Sequence, residues 1–470
     1  MRIVNNKAED VKISYIGGGS RGWAWNLMSD LVTCEDMSGH VALYDINYQA
    51  ALDNQIIGEL HNKAEGAVSH WNYTACKTIG EALTGSDFVV ISIRPGTFDE
   101  MESDVHTPEK YGIYQSVGDT SGPGGIVRAM RTIPMYEEIA LAIKEYCPNA
   151  WVINYTNPMT LCVKTLYRVF PEIKAFGCCH EVFGTQKLLV SALEEICGIE
   201  VPHRNLIKVT PVGVNHFTWL TEAWYQNIDL MPIYAQFAKE YAETGYTKNL
   251  DANWMNNSFR CAQRVKFDLF NRYGVIAAAG DRHLAEFCPG KWYLDSPEGV
   301  RQWCFGLTTV DWRRNTLSKR LEKSRQMRTG ELPVTLKVSG EEGVDQMRAI
   351  LGLSSPLVTN VNIPNKGQTP NLPMGAVVET NAVFSSGRVV PVQSGEVPAQ
   401  IMPLVGRVCT LQEAVSDAIA KRDIPAIFDC FRADPLVTIN YEDAKALFKE
   451  MVMNTSKYLD SYDLSALDNL

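Results

Sequence analysis

Apolar residues along this chain change their spacing several times, and each change predicts an element. "VKISYIGGG" (11–19) runs from a continuous apolar strand into a glycine turn, and "WAWNLMSDLV" (23–32) carries its apolar residues at helical spacing. "HVALYDIN" (40–47) predicts a second strand, and "ALDNQIIGELHNKA" (51–64) a helix after it. "DFVVISI" (87–93) and "AWVINYTNP" (150–158) predict a third and a fourth strand, with the helix "RTIPMYEEIALAIKEYC" (131–147) between them. Strands alternating with helices imply a Rossmann-like, doubly wound parallel sheet over roughly the first 200 residues.

The rhythm then changes. "LIKVTPVGVNHFTWLTEAWY" (206–225) alternates as strands do, residues 230–330 are mainly helical in pattern, and "LPVTLKVSG" (332–340) and "GAVVETNAVFSSGRVVPVQSG" (375–395) predict further strands. The last 60 or so residues are amphipathic helix again. "SSPLVTNVNIPNKGQTPNLPMG" (354–375), rich in proline and glycine, predicts a loop of the kind a partner subunit orders. The expected fold is α/β, with a dinucleotide domain at 1–205 and a mixed α+β lobe for metal, substrate and oligomerisation at 206–470.

Composition narrows the function classes. A chain of 470 residues with 46 % hydrophobic and 21 % charged residues is an ordinary globular protein. Its net charge of -10 argues against a nucleic-acid partner, which clustered Lys and Arg would attract. Twelve scattered cysteines and an opening without an apolar leader lead to the expectation of a reducing cytoplasm. No apolar window approaches the roughly 20 residues that cross a bilayer.

"GGGSRG" fits G-x-G-x-x-G with Gly17, Gly19 and Gly22 between a strand and a helix, where backbone N–H groups, Ser20 and the helix dipole can hold a diphosphate. Three glycines also make an ordinary tight turn, so the position in the fold carries the reading. Asp45 ends the second strand where an acid binds a ribose, and its charge favours NAD over the 2′-phosphorylated form. A plain dehydrogenase would suffice for these features alone.

The middle of the chain adds to them, in order, "RPGTFDEMESDVHTPEKYGIYQSVGDTSGPGGIVRAMRTIP", "NYTNPM", "GCCHEV", "GVNHF" and "GDRHLAEF". Together they resemble glycoside hydrolase family 4, whose members use NAD and a divalent metal rather than two carboxylates. On residue type alone Cys179 reads as a core thiol, and His216 as either a hydrogen-bonded structural histidine or a ligand. The resemblance implies that the two hold the metal, usually manganese, a pairing suited to a borderline first-row ion. It implies that Asn157 contacts the sugar, that the 118–125 loop places Asp119 in the site, and that Arg94 lies near the cofactor, although "RPGT" departs from the family's Arg-x-Gly-Gly.

The implied chemistry is oxidation at carbon-3, loss of the carbon-2 proton, elimination of the leaving group, addition of water, and reduction by the retained NADH. Asp281 is the expected base, with His283 second; the alternative for Asp281 is a helix cap. His180 and Asp119 are the candidate acids. "CHEV" resembles the form associated with α-galacturonidases, and Arg128, Arg131 and Arg282 are candidate clamps for a uronate carboxylate. A phosphosugar or a neutral α-galactoside is the alternative substrate, and a homodimer or homotetramer is expected by resemblance.

Overall fold

The computed structural model describes residues 1–248 and 260–470. Seven strands come first: β1 (Arg2–Val4), β2 (Lys7–Ile16), β3 (Met37–Tyr44), β4 (Trp71–Cys76), β5 (Phe88–Ile91), β6 (Trp151–Asn154) and β7 (Lys174–Gly177). β2 to β7 are parallel and lie in the order β4-β3-β2-β5-β6-β7, with β1 folded back antiparallel on β2. This is the doubly wound arrangement. The strands can be continuously apolar, with Phe88 to Ile91 wholly buried, because helices cover both faces of such a sheet. The strand order reverses between β2 and β5, and ligands of such sheets bind at that point, beyond the carboxyl ends.

A second, antiparallel sheet holds β8 (Ile207–Val214), β9 (Phe217–Tyr225), β10 (Ile228–Asp229) and β11 (Ile276–Ala277). β8 and β9 pair up to Val214 opposite Phe217, so Asn215 and His216 form the tip of a tight hairpin. Three later strands, β12 (Leu357–Pro364), β13 (Val377–Ser385) and β14 (Arg388–Pro391), return to the first sheet. β12 lies antiparallel on β7 through Asn362 opposite Gly177. Helices Met402–Ala420, Ile424–Ala433 and Tyr441–Asn454 share a core with helix Gly122–Tyr146, whose first twelve residues are all buried.

Two expectations are corrected. Residues 332–340 do not enter a sheet. They run along helix Trp23–Val32, where Lys337 N donates to Ser29 Oγ (2.7 Å) and Ser339 N to Asp30 Oδ1 (2.8 Å), so side chains satisfy the backbone that a ladder would have used. The predicted loop at 354–375 contains β12. Val361 and Ile363 are buried at strand spacing, and the prolines stand at or beyond the strand's ends, where no ladder donor is missed. The remainder is ordered from within the chain: Asn365 Nδ2 donates to the carbonyls of Thr369 and Leu372, and Gly375 N to that of Asn365. The helical expectation for 230–330 is met by Met231–Glu240, Arg264–Tyr273 and Val310–Thr329; its part at 249–259 lies outside the described residues. All twelve cysteines are free, and no described helix is long and apolar enough to cross a membrane.

Candidate active site

The glycine turn leaves β2 directly into the crevice. Gly17 N and Gly18 N donate to Tyr44 O (2.9 and 2.8 Å), which ties the turn to β3. Only glycine fits at 17: its φ is +91°, and a Cβ would stand 2.1 Å from Ser92 O. Ser20 N closes back on Gly17 O at 2.9 Å. Helix Trp23–Val32 starts at Gly22 with no side-chain cap and no acid in its first turn, so its donors stay available to an anion. Asp45 accepts from Gly19 N (2.9 Å) and Asn47 N (2.8 Å) and so sits against the turn. Arg94 lies over the Phe98 ring (4.0 Å) within electrostatic reach of Asp45. This cradle, which side chains would fill, fits a dinucleotide.

Beyond it lies a cluster of one carboxylate and two imidazoles. Asp119, His216 and His283 each present a ligand atom, all within 4.8 Å of one another, and the two rings stack with centroids 3.9 Å apart. The hairpin tip supplies His216, the loop before helix Gly122–Tyr146 supplies Asp119, and helix Asp281–Phe287 supplies His283. Burial drives His216 and His283 toward the neutral form, His283 down to about 3, leaving lone pairs for a cation. Burial alone would raise Asp119, but the Arg128 guanidinium and a hydrogen bond from Thr120 Oγ1 (2.8 Å) outweigh it and lower the carboxyl. An N, N, O⁻ donor set fits a first-row divalent metal.

Asn157 and two of the expected arginines join this cluster. Asn157 Nδ2 lies 3.4 Å from Asp119 Oδ2, its carbonyl accepts from Arg128 Nε (3.3 Å), and its buried Oδ1 has no partner among the described residues. Arg282 Nη2 donates to Ser116 O (3.0 Å), and Ser116 Oγ donates back to Arg282 O (2.5 Å). Arg313, on helix Val310–Thr329, lies within electrostatic reach of Asp119, Glu286, Arg128 and Arg282. Glu286 holds the loop: its Oε1 accepts from both Val117 N (2.7 Å) and Gly118 N (2.9 Å), and burial pushes its carboxyl up to about 8.

The geometry separates Asp281 and Arg131 from the roles expected of them. Asp281 is buried, and its oxygens accept from Val265 N (3.3 Å) and Lys266 N (3.2 Å), so it caps helix Arg264–Tyr273 rather than standing free as a base. Arg131 is fully buried, makes a two-pronged ion pair with Asp104 and donates to Pro95 O, leaving no edge for a substrate carboxylate. Cys179 is buried beside Met159, Val163 and Val377 and hydrogen-bonded to Asn215, the neighbour of His216 at the hairpin tip; burial pushes its thiol well above the usual range. His180 is half-exposed, 3.2 Å by Nδ1 from Glu341 Oε1 and stacked on Trp23.

Several site residues carried no clear sequence signal. Glu181 was visible in "GCCHEV" and Glu286 in "GDRHLAEF", but nothing in either motif distinguishes them from solvated acids. In the fold Glu181 accepts from Gly280 N (2.6 Å) and lies 3.7 Å from His283 Nε2. Opposed to burial, the His180 imidazolium and the Gly280 N–H lower its carboxyl to about 2. Glu379, on β13, accepts from Thr218 Oγ1 (2.5 Å) and Asn360 Nδ2 (2.7 Å) beneath the hairpin tip. Asn54, fully buried, donates to the carbonyls of Gly18 and Ser20 and fixes the glycine turn.

Known proteins are similar to this chain in sequence and fold. An α-galacturonidase of Thermoanaerobacterium saccharolyticum is 62 % identical over 466 residues, covering 99 % of this chain and all of its own. A crystal structure of the lplD protein of Bacillus subtilis, 51 % identical, covers 94 % of this chain and all of its own with a TM-score of 0.89. A 6-phospho-β-glucosidase of Thermotoga maritima, solved with manganese, NAD+ and glucose-6-phosphate, shares the fold at 19 % identity and a TM-score of 0.75 over 95 % of this chain and 99 % of its own. The family 4 glycosyl hydrolase model matches residues 12–195, and the model of that family's C-terminal domain matches 211–437. With the glycine turn, the imidazole cluster and both family models in one chain, this protein belongs to family 4 of the glycosyl hydrolases.

Proposed function

We propose that this enzyme hydrolyses α-linked galacturonides, using NAD and a divalent metal such as manganese. One observation carries the reading: the Asp119, His216 and His283 cluster stands beside the dinucleotide crevice with Arg128, Arg282 and Arg313 around it. A plain dehydrogenase needs neither the cluster nor a surplus of guanidinium groups. The α-galacturonidase activity named for the 62 % identical relative supports the substrate class.

When bound, NAD would supply reversible hydride chemistry at sugar carbon-3, and the metal would supply Lewis acidity toward the neighbouring oxygens. Asp119, His216 and His283 would hold the metal. Asn157, whose buried Oδ1 lacks a partner, would accept from a sugar hydroxyl, and Arg128 and Arg282 would take the uronate carboxylate. Glu181, ionised and facing the three histidines, is the carboxylate we assign to the carbon-2 proton in place of Asp281. His180, whose proton Glu341 helps to retain and whose ring is half-exposed, serves the leaving oxygen. A reducing cytoplasm suits the twelve free thiols, and dimers or tetramers complete the proposal.

One assay tests it. Purified protein is incubated with an α-linked digalacturonide, manganese, NAD and a thiol reductant, and free sugar and NADH absorbance are followed together. Sugar release without accumulating NADH is expected. Stoichiometric NADH would identify a dehydrogenase, and absence of both would refute the enzymatic reading.

A further inference from the structure

Helix Val310–Thr329 comes from the second half of the chain yet lies across the nucleotide turn of the first. A Cβ placed on Gly22, whose φ is +153°, would stand 2.9 Å from Arg320 Nη1, so the guanidinium lies directly at the last glycine of the turn. Two further contacts hold the helix there. Arg328 Nη1 is 3.1 Å from Asp53 Oδ1, while Asp53 Oδ2 is 3.5 Å from Nη2 of Arg21, a residue of the turn itself. Lys323 Nζ lies 5.9 Å from the centre of the Trp25 ring.

The charges at this junction are unbalanced. The start of an α-helix carries a partial positive charge, so a cation there has the wrong sign unless an anion lies between. Helix Trp23–Val32 offers no acid in its first turn and no side-chain cap. Asp45 is engaged with Gly19 N and Asn47 N, and Asp53 with Arg21 and Arg328. Among the described residues no carboxylate pairs with Arg320. Arg320, solvent-exposed, and the helix start face the same place, where an incoming anion would meet both.

We propose that Arg320 binds the diphosphate of the dinucleotide, which is thereby held between the glycine turn and helix Val310–Thr329. The inference rests on the NAD reading above and adds a residue from the opposite half of the chain. It also ties the two ligands together. Arg313, seven residues earlier and about 10 Å along the same face of the helix, belongs to the Asp119 cluster.

The test is ligand binding by titration calorimetry, without substrate, on wild type, Arg320→Gln and Arg320→Lys, at low and high salt. Arg320→Gln should weaken NAD about tenfold or more, as loss of a charge-assisted contact does, and ADP by the same factor, with adenosine unchanged. Its affinity should also fall less steeply with salt, and Arg320→Lys should recover part of the loss. An unaltered melting temperature of the ligand-free variant would show that the helix still docks. Equal NAD affinity in Arg320→Gln and wild type, or an equal loss for adenosine and ADP, would overturn the assignment. Wild-type protein that binds no NAD would instead overturn the underlying dinucleotide reading.

Discussion

Replacing Glu286 by glutamine isolates a buried proton. Glu286 is 1 % exposed and its single oxygen Oε1 receives both loop N–H groups, so a glutamine carbonyl can accept the same two bonds. Burial raises the carboxyl from 4.5 to about 8. The protonated form is therefore the one the fold prefers: its contribution is full below about pH 4.5 and is lost as the pH climbs to about 8. At about 1.4 kcal/mol per pH unit, a span of roughly 3.5 units corresponds to about 5 kcal/mol at most. Glu286→Gln cannot ionise. It should match wild type near pH 5 and exceed it progressively to about pH 9. Urea unfolding of both proteins at pH 5, 6, 7, 8 and 9 measures the difference directly. A stability difference that stays constant across that range would refute the reasoning.

Glu181→Gln should lower kcat by about 10²- to 10⁴-fold, the usual worth of a positioned base, and slow carbon-2 deuterium uptake in heavy water equally; uptake at the wild-type rate would clear Glu181 of that role. Asp281→Asn should keep kcat within about tenfold but lower the melting temperature, because an amide cannot accept at both atoms and Lys266 loses its nearby charge; a loss of kcat as deep as that of Glu181→Gln would reinstate Asp281. Arg131→Met should cost about 3–5 kcal/mol by stranding Asp104, and adding Asp104→Leu should restore much of it; equal instability in the double variant would contradict the pairing. Asp45→Arg should weaken NAD and strengthen its 2′-phosphorylated analogue in a binding titration, and an unchanged preference would remove Asp45 from the ribose.

The periodic parts of the fold were legible because periodicity is local. Strand Phe88–Ile91 and helix Trp23–Val32 announce themselves in their own residues. β12 was hidden because its buried Val361 and Ile363 stand among prolines whose harmlessness depends on where the ladder ends. The site follows the same division. Gly17, Gly22 and Asp45 are recognisable because turn, strand end and spacing coincide within thirty residues or so. Arg131 was misread because Asp104, its partner, lies 27 residues upstream on another helix. Asp281 stood in a motif beside His283, but the helix it caps begins at Arg264 and only folding brings the two together.

The seam between β7 and β12 has a consequence for how the chain is made. Gly177 leaves the ribosome long before Asn362, so the parallel sheet is synthesised with an open edge that waits for nearly two hundred more residues. Unpaired edges recruit other chains, and long-range pairings form slowly. A fragment ending after helix Glu181–Cys197 should therefore be prone to aggregate, and supplying the later segment separately should suppress that aggregation by complementing the edge.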